Sequence, residues 1–455
     1  MAPNTIMWFR RDLRLADNHA WAVAVTAARE AGAAVIPLFV LDDELWGRSG
    51  VNRRWFLAGC LAELHADLGG GLVVRHGDPA RVIPEVAAQH DVGTVFRAQD
   101  VGVYGRRRDD AVAKALAADG RRIEEADSPW AVPAGTLRTG TGRAFKVYSA
   151  YLRAWRQQSL PATARRPSAV PILERVRSDA LSKAPAVTAD LPDPGETAAH
   201  RRLDAFLRSG VDEYASTRND PGADATSRLS PYLKWGCLHP RQILRRLDGR
   251  NTSHDTFIKE LAWRDFYADV LDAWPESAWS SWNPDMASME VDTGRRTDER
   301  FAAWCDGRTG FPIVDAGMRQ LVAEGWMHNR LRMIAASFLV KDLHVDWVRG
   351  ARFFLEHLVD GDLSSNNHGW QWVAGTGTDA APYFRIFNPT LQSAKFDPDG
   401  TYIRRWVPEL ADVPAEHVHD PSAASGGTPA GYPPPIVDHA AERTEALRRY
   451  DATRT

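Results

Sequence analysis

Cysteine is scarce: Cys60, Cys237 and Cys305 stand far apart in 455 residues and form no CxxC. That excludes a disulfide framework and suggests no zinc site. An excess of one charge is also missing, since 56 Lys and Arg face 59 Asp and Glu for a net charge of −3. A chain so balanced has no global pull toward nucleic acid or acidic membranes, and a polyanion partner must be met by a local basic patch. Long apolar runs are absent. Ile334 to Val340 is far too short to span a bilayer. The N-terminus enters a strand-like TIMWF without a charged, apolar, small-residue signal pattern, so a cytoplasmic protein with no membrane partner is expected. Where a GxGxxG dinucleotide fingerprint would follow the first strand, FRRDLRLADN stands instead.

What is present reads as globular, with 44% hydrophobic and 25% charged residues. The length exceeds one ordinary core and predicts two or three domains. Tryptophan is abundant: 17 in all, ten from Trp263 onward. An indole is large and carries one N–H to satisfy, so this density implies big aromatic cores or π-surfaces in use.

Up to about residue 130 two periods alternate. β-Branched runs at Thr5–Phe9, Ala34–Leu41, Leu72–Arg75, Thr94–Arg97 and a weaker Arg122–Glu124 are separated by helical patterns at Asn18–Ala31, Asn52–Leu68, Ala80–His90 and Arg106–Ala118. This order predicts an α/β doubly wound, parallel, five-stranded sheet whose ligands sit at the carboxyl ends of the strands. Residues 131–195 are Pro-rich and read as an interdomain linker over the surface, with one short helix at Tyr148–Gln157. Residues 196–455 read as an all-α domain with a Pro- and Gly-rich tail after Ala411. The expected domains are thus 1–130, a linker at 131–195, and 196–455.

Three constellations carry chemistry. In DGDLSSNNHGWQWVAGTGTDAAPYFRIFN, from Asp360 to Asn388, two carboxylates, two amides and two indoles crowd one span. A helix capped by Asp362 explains any one of them, and a pocket lining suits the whole set better. Phe257, Glu260, Trp263, Arg264 and Tyr267 share one side of a helix, fitting a polar aromatic cavity or a helix seam with a Glu260–Arg264 pair. On the helix from His328, Arg332 is either paired with Asp360 or Asp362 or solvated. Ahead of these, Thr226, Ser227 and Ser230 precede a helix as an anion seat would.

ATSRLSPYL, ELAWRDFY, GFPIVDAGMRQL, GWMHNRLRMIAASFLVKDL, DGDLSSNNHGWQW and APYFRIFNP, in this order, resemble the photolyase/cryptochrome flavoprotein family, and FRRDLRLADN resembles its opening motif. The resemblance covers nearly the whole chain and is weakest at 133–191 and after Ala411. It implies an N-terminal α/β antenna domain and a helical FAD- and DNA-binding domain. The implied FAD contacts are Tyr214, Thr226, Ser227, Arg228, Leu229, Ser230, Phe257, Arg264, Asn329, Arg332, Asp360, Asp362 and Asn366. Phe257 stands where some members have Trp. The implied activity is light-driven repair: excited, reduced, anionic FAD passes an electron to a cyclobutane pyrimidine dimer flipped out of UV-damaged DNA, and the electron returns after ring opening. Alternatives within the family are a cryptochrome-like photoreceptor without repair, and (6-4) photoproduct repair, whose enzymes carry histidines where Asn329 and Met333 stand.

By the same resemblance Glu260 hydrogen-bonds the dimer, Asn366 faces flavin N5, and Trp263 and Trp372 wall the lesion. Asn329 and Met333 join them, with Arg218, Arg330, Arg385 and Gln392 contacting DNA. Trp370 and Trp347 match the two inner members of the electron-feeding tryptophan chain. The outer position falls on Gly294, which leaves Trp326, Trp304 and Tyr383 open as its end. YGRRRD after the fourth strand resembles the deazaflavin-antenna branch, with Arg53, Asp100 and Tyr104 touching an 8-hydroxy-deazaflavin. No metal is implied, and a monomer is expected.

Overall fold

The computed structural model describes residues 2–181, 183–379, 384–424 and 426–453. Five strands, β1 (Asn4–Phe9), β2 (Val35–Leu41), β3 (Val73–His76), β4 (Val92–Ala98) and β5 (Arg122–Asp127), form one parallel sheet in the order β3-β2-β1-β4-β5. Between them run α1 (His19–Glu30), α2 (Asp43–Arg48), α3 (Val51–Asp67), α4 (Pro79–Gln89) and α5 (Val103–Ala118). The doubly wound expectation holds strand for strand, and β5 reaches three residues further than its weak pattern suggested. β2, VIPLFVL, is buried at every residue, as a parallel strand covered on both faces must be.

Next come α6 (Tyr148–Trp155), α7 (Glu196–Ser209), α8 (Tyr214–Thr217), α9 (Ser230–Trp235), α10 (Pro240–Leu244) and α11 (Thr252–Ala273). The chain ends with α12 (Arg295–Cys305), α13 (Pro312–Glu324), α14 (Asn329–Lys341), α15 (Trp347–His357), α16 (Leu363–Ala374), α17 (Pro389–Phe396), α18 (Thr401–Trp406) and α19 (His439–Ala452). Two compact units result. The α/β unit comprises Met1–Val187, Pro192–Asp212 and Ser227–Pro275; the helical unit comprises Thr188–Leu191, Glu213–Thr226 and Glu276–Thr455.

Segment 227–275 joins the α/β unit through the FRRDLRLADN turn. Arg14, 1% exposed, donates to Asp127 at the end of β5 (3.1 Å) and to the Gly236 carbonyl (3.2 Å). Arg241 of α10 meets the other oxygen of Asp127 at 3.1 Å, and Arg245 meets Asp17 at 3.2 Å. Gly236 sits at φ +68°, and a Cβ there would fall 2.0 Å from the Arg11 carbonyl oxygen, so only glycine allows this approach. Glu196, first residue of α7, accepts the Leu15 and Ala16 N–H groups at 2.7 and 3.0 Å.

The stretch at 131–195 does more than wrap the surface. Ile172 bridges Val35 on the part of β2 that β3 leaves uncovered, and Ser178 accepts the Val74 N–H at 2.9 Å. It therefore closes a sheet edge. Trp130, Ala131 and Val132 are buried. In the helical unit, α13, α14 and α15 pack through Met318, Leu331, Phe338 and Phe354 into one core. The Pro- and Gly-rich tail ends in α19, which His439 pins to Asp342 and Glu442 pins to His344 at 2.9 Å.

Replacing Asp127 by Ala would strand two buried guanidinium groups. The variant should lose about 3–5 kcal/mol of stability, read as a lowered urea midpoint.

Candidate functional site

In the helical unit, residues 363–374 do form a helix, α16, and Asp362 caps it by accepting the Ser364 and Ser365 N–H groups at 3.1 and 3.2 Å. The capped-helix expectation therefore holds for Asp362. Arg332 is paired rather than solvated: Nη2 meets Asp360 Oδ2 at 2.8 Å while Nε holds the Met327 carbonyl at 2.8 Å. Asp360 Oδ1 is buried with no hydrogen-bond partner among the described residues. Asn366 spends its NH2 group on the Ala351 carbonyl (3.1 Å) and Asn367 Oδ1 (2.9 Å), so its carbonyl oxygen is what it offers a ligand. His368 is buried, and desolvation lowers it to about 4, leaving it neutral.

Three arginines from separate segments converge in the same unit. Arg330 donates to Asn219 Oδ1 at 2.8 Å and lies 4.3 Å from the Phe396 ring of α17, one turn beyond Gln392. Its pKa is lowered by burial and then by the charges of Arg218 and Arg385. Asn329 and Met333 are helix neighbours, with Nδ2 and Sδ 3.9 Å apart. Tyr214 is buried under the Arg218 guanidinium, 5.6 Å from its ring. Arg385 and Trp372 line one cavity of about 200 Å3. Tyr383 lies outside the described residues.

Trp370 packs edge-on against Trp304 (6.1 Å between centroids) and Phe354 (5.0 Å). A Cβ on Gly350 would come 2.2 Å from Trp370 Cη2, so this glycine lets the indole lie against α15 one turn past Trp347. Trp347 is buried. Gly294 is the N-cap of α12 at φ +91°, a conformation that tryptophan would adopt only with strain. Trp326 pairs with His328 at 6.3 Å.

The α/β unit carries the other residues. On α11, Trp263 stacks on Tyr148 at 3.7 Å and 10° and meets Tyr267 at 5.3 Å. Tyr148, which bears no motif, fixes that indole; its hydroxyl donates to the Lys259 carbonyl at 2.7 Å. Only the short helix pattern around it was legible beforehand. Arg264 is anchored to the Pro129 and Leu233 carbonyls, both at 2.9 Å, and Phe257 packs on Phe206 at 4.9 Å. Glu260 is half-buried on the same helix. Ser227 Oγ accepts the Leu229 N–H at 3.3 Å, and Arg228 takes a left-handed φ of +49° as the chain enters α9 at Ser230.

At the carboxyl ends of the strands, Asp100 meets Arg108 at 3.0 Å, and Arg108 lies 5.9 Å from the Tyr104 ring. Against the opposing effect of burial, Arg108, Arg10 and Arg11 hold Asp100 well below the usual carboxylate range. The Tyr104 hydroxyl donates to Asp42, and burial together with that carboxylate raises it. Arg53 is buried on α3. Among the described residues no group of three or more His, Cys, Asp or Glu is placed to hold a metal, and no helix is long and apolar enough to cross a membrane.

The parallel sheet and, in the other unit, a helical body with a buried carboxylate–guanidinium pair and an amide acceptor suit a protein that holds a nucleotide cofactor. Residues 5–170 match the DNA photolyase family and residues 257–452 the FAD binding domain of DNA photolyase. The chain is 40% identical to a deoxyribodipyrimidine photo-lyase of Streptomyces griseus, over 99% of this chain and 98% of that one. A class III photolyase structure from Agrobacterium tumefaciens superposes with TM-score 0.92 at 36% identity, covering 100% and 98% of the two chains. A Synechocystis cryptochrome gives 0.89 at 29% identity, covering 98% and 99%. The chain belongs to the photolyase/cryptochrome family and carries its FAD-binding domain.

The residues present fit that cofactor. The orphaned Asp360 oxygen needs a donor, which the hydroxyl and imide groups of FAD supply, and Asn366 offers an acceptor. Asp360→Asn should weaken FAD retention roughly tenfold or more, the scale of a charged hydrogen bond. The ratio of flavin to protein absorbance after gel filtration measures it.

Proposed function

We propose that this protein is a light-driven DNA repair enzyme that splits cyclobutane pyrimidine dimers, acting as a cytoplasmic monomer. The bound FAD, kept reduced and anionic, supplies the electron that opens the dimer and takes it back. Tyr214, Thr226, Ser227, Arg228, Leu229, Ser230, Phe257, Arg264, Asn329, Arg332, Asp360, Asp362 and Asn366 bind it. Asn366, with its NH2 group already engaged, would offer its carbonyl oxygen to the N5–H of the reduced flavin. Glu260 hydrogen-bonds the dimer, and Trp263 and Trp372 stack beside it and exclude water. Trp370 and Trp347 relay electrons that keep the cofactor reduced. Residues 1–130 serve the antenna, an 8-hydroxy-deazaflavin touched by Arg53, Asp100 and Tyr104. Residues 131–195 link them to the FAD- and DNA-binding part at 196–455.

The observation that carries the reading is the convergence of Arg218 and Arg385 on Arg330. Like charges repel, so guanidinium groups held near one another call for an anionic partner that offsets the cost. A phosphate backbone is the partner that such a rim fits. Asn329 and Met333 favour cyclobutane dimers over (6-4) products, because neither side chain can relay a proton near neutral pH.

Illuminating the reduced protein with a dimer-containing oligonucleotide should restore thymine absorbance. Absence of flavin bands sinks the reading, and flavin without restored thymines moves the protein to the cryptochrome side. Trp263→Ala should weaken dimer binding about tenfold, the worth of one base–aromatic stack. Undiminished affinity in a binding titration removes the proposed wall.

A further inference from the structure

Between α16 and α17 runs a short strap, Phe384–Asn388, whose Arg385 side chain is exposed while its backbone faces inward. Four groups of the helical unit hold it. The Lys341 ammonium donates to the Arg385 carbonyl and lies 4.3 Å from the Phe384 ring centroid. Ser337, one turn earlier on the same face of α14, accepts the Phe387 N–H at 3.4 Å. Tyr450 of α19 stacks on Phe384 at 4.6 Å and 10°. On the remaining side, Gly375 makes room for Phe384: a Cβ there would come within 3.2 Å of its ring.

Lys341 is the unexpected member, because its side chain is almost wholly buried, at 3% exposure. An amine in an apolar core costs free energy that a methionine of the same length avoids. Packing alone therefore does not explain it. Among the described residues its one hydrogen-bond acceptor is the carbonyl of Arg385, a residue exposed to solvent.

We propose that Lys341 is a positioning residue for lesion-DNA binding, holding strap 384–388 so that the Arg385 guanidinium is presented outward. The inference rests on the reading of Arg385 as a DNA contact. Arg385 reaches nucleic acid only if its backbone is fixed, since an exposed arginine on a loose strap loses much of its interaction to ordering entropy. Lys341 supplies a charge-assisted hydrogen bond and a cation–π contact at once.

Burial lowers Lys341 to about 7, with Asp342 raising it and Arg385 lowering it. The other titratable groups nearby are Tyr450 of α19 and the His439 that pairs with Asp342. The charged hold on the strap is thus present below about pH 7 and lost as pH rises. Stability runs the other way: avoiding the buried charge stabilises the fold at high pH, and that gain disappears as pH falls through 7.

The test is affinity of the FAD-loaded protein for a dimer-containing duplex, measured by fluorescence anisotropy. Arg385→Ala and Lys341→Met should each weaken binding about tenfold, and the double variant should be no weaker than Arg385→Ala alone. Wild-type affinity should fall between pH 6 and 8.5 more steeply than that of Lys341→Met. Unchanged affinity in Arg385→Ala overturns the DNA reading of that residue and the inference with it. A weakened Arg385→Ala beside an unchanged Lys341→Met, or effects that multiply in the double variant, overturns the inference alone. If Lys341→Met fails to fold, Ser337→Ala loosens the same strap without touching a charge. Multiplying effects of Ser337→Ala and Arg385→Ala then decide against it.

Discussion

The α/β unit depends on one buried carboxylate. Asp127, at the end of β5, holds Arg14 from the first strand–helix turn and Arg241 from α10, with both arginines almost fully out of water. Removing charges from water costs several kcal/mol each, so these groups are tolerable only together. Their mutual need draws segment 227–275 onto the sheet, and the glycine at 236 permits the backbone approach. FRRDLRLADN therefore stands where a phosphate-binding loop would, but it serves as a clasp. One consequence reaches the chemistry: α11, with Glu260, Trp263 and Arg264, is built on the α/β unit and buttressed by Tyr148 and Phe206.

The helical unit solves a different problem, which is to keep polar groups ready for a ligand inside an aromatic core. Arg332 and Asp360 satisfy each other on one side and leave one carboxylate oxygen available. Asn366 spends its donors on the Ala351 carbonyl and Asn367 Oδ1, and Asn367 donates to the Ala278 carbonyl. Around them Trp370 meets Trp304 and Phe354 edge-on, a geometry in which ring quadrupoles attract, while Trp304 and Phe354 lie nearly parallel. A core so specified orients an indole without a hydrogen bond to the ligand.

Gly294 shows how local backbone geometry restricts which residue a position accepts. At the N-cap of α12 the backbone needs positive φ, which glycine meets freely and tryptophan does not. Trp304 meets Trp370 edge-on, and its indole N–H is bound to the Ala335 carbonyl at 3.1 Å.

Periodicity was enough to read all five strands, the parallel order of elements, and most helices of the C-terminal half. Burial on both faces and amphipathic spacing are local properties, written in neighbouring residues. The ordered motifs were likewise legible, and with them the flavin family. Three things were not. Asp127 lay just past the expected end of β5 and drew no reading of its own; its partners are more than a hundred residues away in opposite directions. Tyr148 carries no motif, and Lys341 lies in the GWMHNRLRMIAASFLVKDL run without a role of its own, because a stacking partner or a buried amine is defined by what surrounds it. Whether Arg332 was paired or solvated depended on where the loop at Asp360 folded back. By itself the sequence determined which segments become strands and helices and which chemistry they bear. Only the tertiary structure decided which charges meet, since ion pairs and stacked rings act across a few ångströms regardless of their separation along the chain.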